Sequence, residues 1–507
     1  MTDHRKKLSR EFRNVANLQR QLKTKPESYW IKRGEAMALR LFHDMSTHVP
    51  AYQDFLYKSK FDPSRVKTIE DFQQVPLINK DNYLRKYDRN MLCWDGKFSD
   101  KSWVISTTSG STGVPFYFPR GDLQDEYYAI TAELYLRENF KIQDRKTLYI
   151  DAFAMGAWIG GLFTYEALHR VASKGYPLSI ITPGINKTEV INSVKNLGPD
   201  FDQIIIGCYP PIMRDIIDLG IEEGLDWGKY NLGIVFSAEG FSEDFRDYII
   251  KNGKLSDVFS STLNHYGSVD LGTMSHETPF TIFLRRQALK DNNLYKQIYG
   301  SVTKQPTVTQ FLPELFYFES VDNNVICSSY GGIPLVRYEL NDHGGVISLE
   351  ETSAAYKSRD KTLSSEIKSS GIGKIWNLPI VYIYERNDFS ITFSGAQIYP
   401  EEVKKALLHS EFHHSLTGKF TMLSGYDKDA HNYFEINVEL RKGVVPTEAL
   451  KEKVIERVVE HLIKENSEYG VLYDEYGTSL HPRIKFWEYE HELHFSTRGK
   501  QKWVKKT

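Results

Sequence analysis

Gln203-Ile-Ile-Ile206 and Leu232-Gly-Ile-Val235 are short apolar runs, and the residues between them carry a helical pattern over Ile212 to Leu219. The same alternation runs upstream. Thr147-Leu-Tyr-Ile150 and Leu178-Ser-Ile-Ile181 read as strands, while Tyr165 to Ser173 and Lys187 to Leu197 read as helices. Strand and helix in turn along one segment predict a doubly wound α/β sheet. Ligands in such sheets sit outside the carboxyl ends of the strands, where loops converge.

Outward from that segment the texture changes. Residues 1 to 60 are charged and mostly helical, with apolar positions at Leu8, Phe12, Val15 and Leu18. After residue 310 the chain turns strand-rich (Leu315 to Phe318, Asn324 to Ser328, Leu335 to Tyr338), which predicts a β-rich subdomain. The polar stretch Glu350 to Ser370 reads as a surface excursion. Beyond residue 390, Pro400 opens a helix (Glu401 to Leu408), followed by a strand (Tyr433 to Leu440) and an amphipathic helix (Thr447 to Lys464). A chain of 507 residues exceeds what one core usually supports. The expected division is a large domain over 1–386 and a small, mobile α+β domain over 387–507.

Composition narrows the class. Basic residues number 64 and acidic 66, so charge gives no case for nucleic acid or an anionic membrane. Cys93, Cys208 and Cys327 lie far apart, which argues against disulfides and cysteine-built zinc sites and fits a reducing cytosol. Asp3 to Lys7 is not followed by an apolar segment, so no secretory signal is expected. The longest apolar stretch, Phe153 to Phe163, is too short to span a bilayer. A cytoplasmic, multidomain protein is the expectation.

Several motifs carry chemistry. Ser106-Thr-Thr-Ser-Gly-Ser-Thr-Gly113 lies between two strand-like runs, Trp103-Val-Ile105 and Val114 to Phe118. Glycines let the backbone approach a ligand and free N–H groups suit a polyphosphate, although a plain Ser/Thr-rich turn has the same composition. No Gly-Lys-Ser/Thr ends it, so it is not a Walker A loop. Ser237-Ala-Glu-Gly240 follows a strand, placing Glu239 at a ligand position or at an ordinary helix cap. His265-Tyr-Gly-Ser-Val-Asp270 offers an aromatic ring for a base and a carboxylate for Mg²⁺, or a solvated turn. Arg337-Tyr-Glu-Leu-Asn-Asp342 ends a strand before His343-Gly-Gly345, where Asp342 suits a ribose diol; surface turns also look like this. Lys500, in Thr497-Arg-Gly-Lys500, is a point charge on a glycine-bearing loop. His413/His414 and His491/His494 lack further ligands for a metal.

Taken in order, these motifs resemble the adenylate-forming superfamily of acyl-CoA synthetases, in particular its phenylacetate–CoA ligase-like and capsule-biosynthesis-like branch. Thr108-Ser-Gly-Ser-Thr-Gly-Val-Pro115 is similar to the family's phosphate loop, and Ala238-Glu239 to its adenine-contacting turn. Tyr266-Gly-Ser-Val-Asp270 resembles the aromatic-plus-acid motif, and Arg337 to Asp342 the ribose motif. Arg386 to Pro400 resembles the hinge and the segment opening the small domain, and Lys500 falls on the catalytic lysine. Val49-Pro-Ala-Tyr52 and Thr68 to Lys80 also resemble this branch. Three positions depart: Asp270 stands where Glu is usual, Asn341 where glycine is usual, and Phe389 where many members carry a second acid.

The resemblance implies ATP-dependent activation of a carboxylic acid to an acyl-adenylate, then transfer to a thiol, typically of coenzyme A. It implies that Ser109, Gly110, Ser111, Thr112 and Gly113 hold the phosphates and Asp270 the Mg²⁺. Ala238, Glu239, Tyr266 and Gly267 would meet the adenine, and Asp342 and Arg386 the ribose. Lys500 would bridge carboxylate and α-phosphate, with Asp388 as hinge. Trp158, Tyr209, His265 and Gly267 would line an acyl pocket suited to an aryl or other compact acid. The alternatives are transfer to an amine, a carrier-protein thiol or a protein side chain, an AMP transferase, and a non-catalytic nucleotide-binding homologue.

Overall fold

The computed structural model describes residues 8–107, 116–300, 305–386, 390–491 and 494–495. Strands β1 (Val104–Thr107) and β2 (Tyr117–Arg120) form a separate antiparallel pair, with Thr107 opposite Tyr117. The next five strands are β3 (Thr147–Asp151), β4 (Leu178–Ile181), β5 (Gln203–Cys208), β6 (Leu232–Phe236) and β7 (Thr262–Ser268). They run parallel in the order β4-β3-β5-β6-β7, joined by helices including Gly160–Ala172, Lys187–Leu197, Pro210–Glu222 and Glu243–Asn252. Every residue of β3, β5 and β6 is buried, as parallel strands covered on both faces require. Asn186 and Ser242 cap their helices by accepting backbone N–H bonds, which fixes where strand hands over to helix.

The strand-rich stretch continues the same sheet. Strands β8 (Gly272–His276), β9 (Thr307–Gln310), β10 (Tyr317–Val321), β11 (Asn324–Ser329), β12 (Leu335–Ile347) and β13 (Ile380–Arg386) extend it antiparallel as β7-β8-β9-β13-β12-β11-β10. The result is an eleven-stranded sheet. The turn expected at His343-Gly-Gly345 instead lies inside β12, which runs on to Ile347. Its two glycines serve close strand approach: a Cβ on Gly344 would lie 2.0 Å from the Tyr382 carbonyl oxygen. The polar stretch after Glu350 folds as two helices, Leu349–Lys357 and Leu363–Ser370. Ser348 and Glu351 form a capping box at the first, and Tyr356 and Leu363 are buried.

The N-terminal helices lead into a segment stitched onto β12. Ile78 N–H donates to the Arg337 carbonyl (3.2 Å), and Glu339 N–H donates to the Ile78 carbonyl (2.8 Å). The buried Arg337 guanidinium donates to the carbonyls of Gln73 and Val75 and pairs with Glu319. Residues 73–79 thereby behave as a fixed flank of the sheet.

After β13 the chain builds a smaller unit: β14 (Ile391–Phe393) with β15 (Ala396–Ile398), and a sheet of β16 (Leu416–Tyr426), β17 (Asn432–Leu440) and β18 (Arg483–Trp487). Helices Pro400–Leu407, Glu448–Glu465 and Ser467–Tyr476 pack on it. Its interior is continuous with part of the large sheet's core, since Met213, Phe236 and Phe245 share one apolar cluster with Ile398, Met422 and Val458. The three cysteines are buried and unpaired. No helix among the described residues is long and apolar enough to cross a membrane.

Candidate active site

A cleft of about 940 Å³ opens at the carboxyl ends of the parallel strands, between the large sheet and the small unit. Ala238 and Glu239 line it from the turn after β6, and His265, Tyr266, Gly267 and Asp270 from β7 and the turn beyond. Asp342 lines it from β12, and Trp158 and Tyr209 from the loops after β3 and β5. Ala238 adopts φ +74°, a left-handed conformation uncommon for a residue with a Cβ, which presents Glu239 to the cleft. Gly267 admits close packing of β7 on β8, where a Cβ would lie 2.7 Å from the Gly272 carbonyl oxygen.

Tyr266 and Asp342 meet: the phenol donates to Asp342 Oδ2 at 2.5 Å. Asp342 is also the register partner of Arg386 across β12 and β13, so the two residues of the implied ribose site are cross-strand neighbours. Asn341, where glycine was usual, sits at φ +62°, a conformation asparagine tolerates better than other residues with a Cβ.

Asp270 is 5% exposed. Its Oδ2 accepts from the Tyr338 hydroxyl at 2.5 Å, and Lys80 Nζ lies 3.4 Å from its Oδ1. One carboxylate is too few for a preformed Mg²⁺ cage, but it fits an ion carried in mainly by nucleotide phosphates. Lys80 and Tyr338 had no assigned role in the sequence. Lys80 reaches the cleft because residues 77–79 are pinned to β12, and Tyr338 belongs to that strand.

Glu239 behaves differently. Its backbone carbonyl accepts from Asn264 Nδ2 (2.9 Å) on β7, while its carboxylate points at the small unit. There it accepts from the Gly395 backbone N–H and from the Tyr426 hydroxyl at 3.4 Å. Burial pushes its carboxyl up to about 7, against those two donors. The resemblance gives the Ala238-Glu239 turn an adenine contact; in the arrangement described the Glu239 carboxylate is engaged by the small unit.

The expected acyl lining gathers in one aromatic chamber. Tyr209 packs edge-on to Phe153 (5.3 Å between centroids) and beneath Gly395, and Trp158 and Phe163 line the same space. His265 is 4% exposed, with its ring 4.9 Å from that of Tyr135 and its Nε2 without a hydrogen-bond partner. Burial holds its pKa well below the ordinary value, so the imidazole is neutral.

Ser109, Gly110, Ser111, Thr112 and Gly113 lie outside the described residues, as do Asp388 and Lys500. The loop's flanks are described: β1 and β2 bring its ends together, and Phe116 just after it lines the cleft. The flank is anchored by Arg120, which pairs with Asp125 (2.7 Å) and donates to Ser106 Oγ (2.9 Å).

No protein-family profile matches the sequence, and no curated protein matches it. Among solved structures, 2-hydroxyisobutyryl-CoA ligase bound to 2-HIB-AMP and CoA in the thioesterification state is similar over 96% of this chain and 91% of its own. Identity is 14% and the TM-score 0.64. The same ligase in its postadenylation state with 2-HIB-AMP matches at 14% identity and a TM-score of 0.54, covering 96% of this chain and 90% of its own. Its open conformation with 2-HIB-AMP and CoA also scores 0.54, at 14% identity over 96% and 94%. A large sheet-based domain with a small α+β domain after it, the cleft between them, and these likenesses agree: the chain has the fold of these ligase structures.

Proposed function

We propose that this chain uses ATP to convert a carboxylic acid to its acyl-adenylate and then passes the acyl group to a thiol, that of coenzyme A. The observation that carries this is the single cleft lined both by Tyr266, Asp342 and Asp270 and by the aromatic chamber of Trp158, Tyr209 and His265. One end suits a nucleotide, the other a compact, aryl-like acid. The neighbouring ligase's bound 2-HIB-AMP and CoA support the same pairing of substrates.

In the first step the acid's carboxylate oxygen attacks the α-phosphorus and pyrophosphate leaves with the bonding electrons. In the second, the thiol sulfur attacks the acyl carbonyl and AMP leaves. The protein's part is positioning and charge stabilisation. Asp342 and Arg386 would fix the ribose, and Tyr266 would hold Asp342 while presenting its ring to the base. Ser109 to Gly113 would grip the pyrophosphate. Asp270 would hold Mg²⁺, which spreads phosphate charge when bound. Lys500 would bridge the carboxylate and α-phosphate.

Division at 386/387, with Asp388 as hinge, would let the small domain alternate between adenylation and transfer positions. We place the described arrangement on the transfer side, since the thioesterification state of the neighbouring ligase fits it better than the postadenylation state does.

A panel of carboxylic acids in an ATP–pyrophosphate exchange assay tests this directly. Exchange with aryl or small branched acids is expected, and Lys500→Ala should abolish it while sparing thioester formation from supplied acyl-adenylate. Exchange confined to long-chain acids would overturn the substrate class, and unimpaired exchange by Lys500→Ala would overturn the mechanism.

A further inference from the structure

We propose that Glu239 is a latch: its carboxylate holds the small domain in the transfer position through the Gly395 N–H and the Tyr426 hydroxyl. This rests on the two-position reading above and adds a positioning residue to it.

Both donors come from the small domain and both converge on one side chain of the large domain. The contact is built around them. Gly395, at φ +92°, lies flat on the Tyr209 ring, where a Cβ would come within 3.1 Å of it. The Tyr426 ring packs on Phe245 at 5.1 Å between centroids. Asn264 fixes the Glu239 backbone from beneath. Glu239 is 8% exposed, and Gly395 and Tyr426 are part of what covers it.

No lysine, arginine or histidine among the described residues pairs with this carboxylate. The titratable groups facing it are the phenols of Tyr426 on β16 and Tyr209 before helix Pro210–Glu222. Glu468, on helix Ser467–Tyr476, lines the same cleft. Among the described residues this buried acid has these two hydrogen bonds and no cation to offset its desolvation. Withdrawing the small domain removes both donors and returns the carboxyl to water. The contact is therefore made and broken as a unit with domain movement.

The test uses the full chain. Hydrogen exchange followed by mass spectrometry reads the segments around Gly395 and Tyr426, in wild type and in Tyr426→Phe. That variant keeps the ring against Phe245 and removes one donor. Exchange around Gly395 should rise about threefold to tenfold, the range expected for one hydrogen bond. Thioester formation from supplied acyl-adenylate should slow by a similar factor, with pyrophosphate exchange unchanged. Glu239→Ala should raise exchange at both segments further while distant segments keep their protection. Unchanged protection around Gly395 in both variants would overturn the latch even if adenylation is observed. Raised protection loss with no adenylation of any acid would leave the latch standing and remove the proposed reaction instead.

Discussion

Glu239 and Glu243 are four residues apart, both buried, and their surroundings are opposite. Burial pushes both carboxyls up, but at Glu243 the guanidiniums of Arg246, Arg285 and Arg286 outweigh it and hold the group down at about 2. Their nitrogens lie 2.8–3.0 Å from its oxygens. Arg246 also grips Glu277 at 2.8 Å, and Glu277 in turn accepts the Asn264 N–H at the root of β7. Among the described residues Glu239 has no such cation. One carboxylate is locked into the scaffold and the other depends on the small domain, which the proposed mechanism requires to move. A buried charge with its own counter-ions fixes structure; a buried acid without them can change state.

The sharpest way to break that contrast is at Arg246. It is fully buried, and replacing it with methionine leaves Glu277 and Glu243 short of their main partner. Removing one member of a buried ion pair costs about 3–5 kcal/mol. A correspondingly large drop in thermal midpoint is expected for Arg246→Met, together with loss of nucleotide binding as β7 loosens. A midpoint within a degree of wild type would show that the network is ornamental.

Asp270 is the intermediate case, with one ammonium at 3.4 Å and one phenol. Asp270→Asn keeps the Tyr338 contact and removes the charge. The KM for MgATP should rise about tenfold, the usual order for loss of a charge-assisted contact, with little change in melting temperature. Titrating Mg²⁺ at fixed ATP checks it: the variant should lose most of its dependence on the ion.

Legibility in the sequence follows the same division between local and long-range causes. Helix Lys187–Leu197 and the four parallel strands before β7 were readable because period and punctuation are local. Gly344 and Gly345 were misread as a turn because a glycine that permits a turn and one that permits close strand approach look alike. Leu349–Lys357 was legible in principle, since Ser348 and Glu351 spell a capping box, but its polar surface masked the three buried positions Thr352, Ala355 and Tyr356. Of the site, Tyr266, Asp270 and Asp342 came from motif order, and the structure brings them to one cleft. Lys80, Tyr338 and Tyr426 were not readable. Each gets its role from a partner at least 68 positions away in sequence, and nothing in the local sequence encodes that.

Proton linkage gives the next, smaller test. In the arrangement described burial raises the Glu239 carboxyl from an ordinary value near 4.5 to about 7. Opened to water, it should fall back toward the ordinary value. The closed arrangement therefore binds the extra proton, so closure is favoured at low pH and weakens as pH rises from about 4.5 to 7, then levels off. Protection around Gly395, corrected for intrinsic exchange, should decline across that window in wild type and stay flat in Glu239→Gln. An increase with pH would mean the carboxylate is stabilised in place by groups outside the described residues.

The smallest effect is the most diagnostic. Glu239→Gln is nearly isosteric: its amide oxygen can accept the Gly395 N–H, and its NH₂ can donate to the Tyr426 oxygen. It also removes the cost of burying a charge without a counter-ion. Global stability should therefore not fall at neutral pH, and any change should be in the stabilising direction. Glu243→Gln, the same chemical change four residues on, should instead destabilise, by about 3–5 kcal/mol, because it leaves three arginines facing a neutral group. Parallel thermal melts of the two variants at pH 7 and pH 5 separate the cases. The Glu243→Gln deficit should persist at both pH values, since its carboxyl stays ionised in each. The Glu239→Gln difference should shrink markedly at pH 5, near the bottom of the window between 4.5 and about 7. Equal losses from the two substitutions would mean that Glu239 is as much a part of the scaffold as Glu243, and that the small domain does not close on a releasable contact.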